Sequence, residues 1–299
     1  MTKTVFITIA GKTNAGKSSL LNALIGEKIA SVSCKSQTTR TKITGVVNID
    51  ETQLVFIDTP GLHKAKNKLS EYMLKAVRES ASDIDAVFFM ADCTKKIGDQ
   101  ERDMLKSVGA SKTPLVLLLN KIDLLKDKTV LAQKMAELDA EFNLDAIIPI
   151  SVLENDGLDL VREKAMSLAV EGPHFFPDDA ITDQPEKIIA GEIIREKLLE
   201  LLDDEVPHGI AVAVERMRER DDKDLLDIDA TIFCERESHK GIVIGKGGRM
   251  LKKAATLSRE ELEEFFQIKV NLQCWVKVKE DWRNRDAIIR SLGLSDPNY

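Results

Sequence analysis

Gly11-Lys12-Thr13-Asn14-Ala15-Gly16-Lys17-Ser18 matches G-x-x-x-x-G-K-[ST], a spacing whose chemistry is phosphate binding. Its glycines let the main chain wrap a phosphate chain, with N–H groups of residues such as Ala15 and Gly16 pointing inward at a helix N-terminus. Lys17 reaches the β- and γ-phosphates, and the Ser18 hydroxyl suits Mg²⁺; Ser19 continues the first helical turn. In Asp58-Thr59-Pro60-Gly61, the Asp58 carboxylate suits Mg²⁺ through water and the Gly61 amide suits a γ-phosphate. The same tetrapeptide also makes a good turn. Asn120-Lys121-Ile122-Asp123 adds a base reader. The Asp123 carboxylate accepts from both N1–H and the 2-amino group of guanine, donors that adenine lacks in that arrangement. Asn120 braces this loop, the Lys121 stem lies across the base, and a Ser151-Val152 amide is expected to face the guanine oxygen.

A second chemistry lies far downstream, in Val243-Ile244-Gly245-Lys246-Gly247-Gly248. It resembles the loop with which KH domains clamp the sugar-phosphate backbone of single-stranded nucleic acid. Gly245, Gly247 and Gly248 allow close backbone approach, Lys240, Lys246, Arg249 and Lys252 supply charge, and Ile242 and Ile244 offer a shallow apolar floor for bases. A lone G-x-x-G is also an ordinary helix–helix connection. Here, however, no Asp or Glu interrupts Ser238 to Arg259, whereas a solvated helix face usually mixes both signs.

The surrounding pattern says what positions these residues. Apolar strands at Thr4–Ala10, Ile43–Asp50, Gln53–Asp58, Asp85–Ala91, Pro114–Leu119 and Ala146–Ile150 alternate with helical stretches, including Lys68–Ser82 and Val130–Phe142. That order implies an α/β unit with a mainly parallel sheet, helices on both faces, and the Ile43–Asp58 pair as the one antiparallel edge. Prolines and turn formers around Gly172 to Asp179 mark a linker. The expected organisation is residues 1–171, a linker at 172–184, and a second unit at 185–299. In the second unit the order is helix, two strands, Gly-rich loop, helix and strand. Trp275, inside an alternating strand, is expected in the core.

Composition limits the remaining classes. With 43% hydrophobic and 31% charged residues in 299, the chain is long enough for two soluble domains. Neither signal peptide nor membrane helix is legible. The four cysteines are scattered, as free thiols in a reducing compartment are. A net charge of −7 argues against nucleic acid only on average, because a local basic stretch still attracts phosphates.

Together with Ser36-Gln37-Thr38-Thr39-Arg40 and Thr59-Pro60-Gly61-Leu62-His63, these motifs resemble the Era-like GTPase family, a P-loop GTPase domain followed by a type II KH domain. The likeness runs on through Gly172-Pro173, Phe175-Phe176-Pro177 and Glu205-Val206-Pro207-His208. The resemblance implies GTP and GDP as ligands, Mg²⁺ held by Ser18, Thr39 and Asp58, and Thr39 as the switch threonine. It implies catalytic roles for Lys17, Thr39 and Gly61, and a K⁺ ligand at Asn14. It further implies a monomer in the cytoplasm, with peripheral attachment to the inner membrane face left open, that binds small-subunit ribosomal RNA near its 3′ end and assists small-subunit assembly. Leu62 stands where Ras-like enzymes carry a water-orienting Gln, so intrinsic hydrolysis is expected to be slow. His63 as a base and Arg40 as an internal finger are weaker readings. An RNA chaperone that uses GTP as a conformational ligand, and a KH-like domain that binds protein, remain alternatives.

Overall fold

Phe88 and Phe89 are chain neighbours on one strand, and both are fully shielded from solvent. Successive strand residues point to opposite faces, so both faces of this sheet are covered. The computed structural model describes residues 1–33, 35, 39–40, 42–60, 84–203, 206–292 and 294. It divides into two compact units, which meet in sequence between Asp183 and Gln184.

The first unit runs β1 (Lys3–Gly11), α1 (Lys17–Ile25), β2 (Ile43–Ile49), β3 (Thr52–Asp58), β4 (Ala86–Asp92), α2 (Asp99–Gly109), β5 (Leu115–Asn120), α3 (Lys128–Glu141), β6 (Ala146–Pro149), α4 (Leu158–Ser167) and β7 (Val170–Glu171). The sheet order is β2-β3-β1-β4-β5-β6, parallel except for β2 against β3. The short β7 also pairs antiparallel with β1, through Lys3–Glu171 and Thr4–Val170, so the expected single antiparallel edge is not the only antiparallel pairing. Two residues are too few for a pattern-based reading to find. Leu105, Leu117, Leu119, Leu138 and Phe142 pack one face of the sheet. The expected helix at 68–82 lies outside the described residues.

Residues 172–183 belong to this first unit rather than spanning open space. Thr4 Oγ1 donates to Pro173 O at 2.8 Å, and the Phe6 and Phe175 rings meet edge to face.

The second unit contains α5 (Glu186–Leu201), β8 (Ala211–Glu219), β9 (Leu225–Cys234), α6 (Glu237–Ile244), α7 (Arg249–Phe266), β10 (Lys269–Val278) and α8 (Asp286–Ser291). It also takes in the described residues of 31–38, where Ser31 Oγ donates to Glu192 O and the Val32 N–H to Glu196 Oε2. The sheet order is β10-β9-β8, with β10 parallel and β8 antiparallel to β9. Ile228, Ala230, Ile232 and Val270 point into a core with Ile193, Leu198, Ala254 and Leu262 of the helices. The alternate residues face the other way. Trp275 is therefore 44% exposed, which corrects the expectation of a core position: alternation buries only the face that helices cover. Trp282 is the buried tryptophan, and its indole N–H donates to Gly209 O at 2.9 Å.

Candidate nucleotide site and nucleic-acid interface

The phosphate loop leaves β1 at Gly11 and enters α1 at Lys17, with Asn14 and Gly16 in left-handed conformations. A side chain at Gly16 would place its Cβ 2.3 Å from Asn120 Nδ2, so only glycine lets this loop approach the end of β5. The start of α1 has no side-chain cap. Its first N–H groups have no partner within the helix and form an anion site. Lys17 is buried, and its ammonium donates to Lys12 O at 3.1 Å.

Three oxygens meet beside it. The Ser18 hydroxyl donates to Asp58 Oδ2 at 2.6 Å and lies 2.7 Å from Thr39 Oγ1, which lies 3.2 Å from the same carboxylate oxygen. Asp58 Oδ1 is buried with no hydrogen-bond partner among the described residues. Burial pushes the Asp58 carboxyl up despite Lys17, Ser18, Thr39 and the Thr59 N–H. Burial likewise pushes the Lys17 ammonium down despite Asp58. One carboxylate with two hydroxyls is a hard-oxygen donor set that fits Mg²⁺, which takes few protein ligands and completes its shell with phosphates and water. Among the described residues no three His, Cys, Asp or Glu side chains gather to hold a metal by themselves. Thr59, fully buried, donates to Ile9 O at 3.0 Å and fixes the turn that carries Asp58. Gly61, Leu62, His63 and Thr38 lie outside the described residues. Arg40 is buried.

The base-reading residues gather at the C-terminal ends of β5 and β6, the end at which open α/β sheets hold ligands. Asn120 Nδ2 donates to Ala15 O at 2.8 Å, tying the phosphate loop to β5. Ser151 Oγ donates to Asp123 Oδ1 at 2.6 Å. The Ser151 and Val152 amides, expected at the guanine oxygen, both have protein partners in this structure. The Ser151 N–H donates to Asp156 O at 3.0 Å and the Val152 N–H to Asn120 Oδ1 at 3.1 Å, because the turn at Ser151 closes on Asp156 and brings Val152 over Asn120. Lys121 adopts a left-handed φ of 70° and its ammonium donates to Asp92 Oδ2 at 2.9 Å. Burial works against ionisation of Asp92, yet hydrogen bonds from Thr94 and Lys121 outweigh it and hold the carboxyl well below its usual range. Asp92 was not singled out from the sequence; its position at the end of the strand between the two motif strands is the signal that would have found it.

In the second unit, α6 ends at Ile244 and α7 begins at Arg249. Gly245, Gly247 and Gly248 all have positive φ. A Cβ at Gly245 would lie 2.7 Å from Met250 Cβ, whereas nothing among the described residues lies within 4 Å of one at Gly247 or Gly248. Lys246, Arg249 and Lys252 line the loop and the start of α7, with Lys252 exposed. Lys240 is half-buried, 4.0 Å from Glu237. Ile242 is 49% exposed and Ile244 half-buried, while Val243 between them faces the core. The result is a charged rim, a bare main-chain loop and an apolar shoulder on one side.

Family models match in both units: a 50S ribosome-binding GTPase model at residues 6–121 and a KH domain model at 205–283. The chain is 45% identical over 293 residues to a protein from Thermoanaerobacter sp. (strain X514) named GTPase Era, covering 98% of this chain and 97% of that one. It resembles the crystal structure of a single-residue variant of Aquifex aeolicus Era bound to GDP·AlF₄⁻, with a TM-score of 0.94, 35% identity, and 98% and 100% of the two chains covered. It also resembles Era in complex with MgGDPNP and nucleotides 1506–1542 of 16S ribosomal RNA, with a TM-score of 0.93, 36% identity, and 99% and 100% covered.

Proposed function

The chain belongs to the GTPase Era family, and from that premise we propose that it is a Mg²⁺-dependent switch whose GTP state governs binding of small-subunit ribosomal RNA near its 3′ end, in the service of small-subunit assembly. Hydrolysis of GTP to GDP and phosphate is the family's reaction. The observation that carries the reading is the convergence of Ser18, Thr39 and Asp58 oxygens beside a carboxylate oxygen buried without a partner among the described residues.

Ser18, Thr39 and Asp58, the last through water, would hold Mg²⁺. When bound, the ion would supply charge neutralisation for the phosphates. The N–H groups at the start of α1 cradle the phosphates, and Lys17 adds a cation on the side where negative charge develops. A phosphate beside Lys17 favours its charged form and offsets the burial that now depresses its pKa. Asp123, oriented by Ser151, accepts from guanine N1–H and the 2-amino group, and Asp92 holds the Lys121 stem across the base. Gly61 would donate its amide to the γ-phosphate, and Asn14 would contribute to a K⁺ site. Hydrolysis slowed when Na⁺ replaces K⁺ supports the Asn14 role.

In the second unit the Gly245–Gly248 main chain would clamp the RNA backbone, with Lys246, Arg249 and Lys252 on phosphates and Ile242 and Ile244 under the bases. The supporting observations are the bare glycine loop and its acid-free basic flank. Crosslinking of bound RNA with GDP and with a non-hydrolysable GTP analogue tests target and gating together. Equal yields in the two states refute the switch. Single-turnover hydrolysis unmoved by any RNA or small-subunit particle would favour a chaperone for which hydrolysis is incidental, the reading that Leu62 supports.

A further inference from the structure

β2 is an edge strand, and an edge leaves a row of main-chain groups open to pairing. Here that row is occupied by the segment leading to the second unit. The Val46 N–H donates to Ile181 O at 2.9 Å, Gly45 and Thr182 form an antiparallel bridge, and the Thr182 hydroxyl donates to Thr44 O at 2.6 Å. Further back, Asn48 Nδ2 donates to Asp178 O at 2.8 Å. Gln53, with no exposed surface, accepts the N–H groups of Phe175 and Phe176 at 2.8 and 3.0 Å, and its own NH₂ donates to Phe176 O at 3.0 Å.

A segment that only kept two units together would need none of these bonds. Their location matters more than their number. Thr39, whose hydroxyl lies 3.2 Å from Asp58 Oδ2, precedes the start of β2 by a few residues. Gly45 also lies closely against α1, where a Cβ would stand 2.8 Å from Leu21 Cδ1 and 2.6 Å from Ile25 Cδ1. Thr182 in turn is two residues from Gln184, where the second unit begins.

We propose that residues 178–182 form a latch on the β2 edge, with Thr182 as its positioning residue, through which the position of Thr39 is passed to the start of the second unit. The latch rests on the reading of the chain as a GTP-governed RNA binder and names the element that does the governing. It makes the RNA affinity ratio between GTP and GDP states depend on a hydroxyl that touches neither nucleotide nor RNA. Allosteric couplings of this kind are typically about 5- to 150-fold.

The test measures affinity for a single-stranded oligonucleotide of the small-subunit rRNA 3′ end, with GDP and with a non-hydrolysable GTP analogue, in wild type, Thr182→Val and Thr182→Ser. Valine should bring the ratio to within about threefold of one, leave the RNA affinity with GDP unchanged, and be rescued by serine, which keeps the hydroxyl. In the wild type, exchange of the Val46 amide should also differ between the two nucleotides. A valine variant with the wild-type ratio, or a Val46 amide blind to nucleotide, overturns the latch alone. A wild-type ratio of one overturns the underlying reading and the latch with it.

Discussion

Ser151 orients Asp123 by donating to one of its oxygens, and in the proposed role the carboxylate would accept from two donors on one base edge. An amide in place of that carboxylate accepts from one donor and must offer an N–H to the other. Asp123→Asn is therefore expected to lose GTP affinity by two orders of magnitude or more, about 3 kcal/mol, and to prefer xanthosine triphosphate, whose C2 oxygen accepts. Competition with a fluorescent guanine nucleotide reads both changes, and retained guanine preference would remove Asp123 from its role. Asp92 acts one step further out. Its carboxyl stays ionised throughout the physiological range, so Asp92→Asn should weaken GTP binding by roughly tenfold, about 1.4 kcal/mol, with no change of slope between about pH 6 and 8. These roles differed in legibility. Asp123 stands in a motif with fixed spacing. Asp92 contributes through a contact to Lys121 made across two strands, which one-dimensional spacing does not contain.

Among the elements, α6, the glycine loop and α7 make the sharpest case for backbone over side chain. Gly245→Ala meets Met250 at 2.7 Å with φ at +72°, whereas Gly248→Ala meets nothing among the described residues and bears only the left-handed backbone. The first should cost about 1–3 kcal/mol of stability together with RNA affinity, and the second about 1 kcal/mol, by thermal melts alongside RNA titration. A different bond ties α7 to the sheet. Glu263 Oε1 accepts the Val270 N–H at 3.2 Å, and Lys269 and Arg259 also reach the carboxylate. Led by that N–H, these partners pull its carboxyl from 4.5 down to about 2. A depressed carboxyl stabilises the fold above its unfolded value and loses that contribution as pH falls from about 4.5 toward 2. Glu263→Gln should melt lower than wild type at about pH 7, with the gap closing across that window. The alternation that located β9 and β10 could not tell Trp275 from a core residue, because it marks two faces without saying which one helices will cover. The burial of Trp282 depends on an acceptor at Gly209, far away in sequence, which local alternation does not contain.

For the whole molecule, a net charge of −7 coexists with a basic loop, so salt should act locally. Lys246→Ala and Arg249→Ala should each lower the slope of log affinity for RNA against log salt by about 1, with GTP affinity unmoved. No helix among the described residues is long and apolar enough to cross a membrane. The order of the two units could be read from prolines and motif positions, but the role of residues 172–183 could not, since Gln53 and Thr44 lie too far from them in sequence. Those contacts have a practical consequence for anyone dividing the protein. A fragment ending at residue 171 would strip Gln53 of both N–H donors to its buried oxygen, at about 1–3 kcal/mol for each unsatisfied group, and bare the β2 edge to other molecules. Such a fragment should self-associate into insoluble material, whereas one extended by a dozen residues to Asp183 should elute from a sizing column as a single small species.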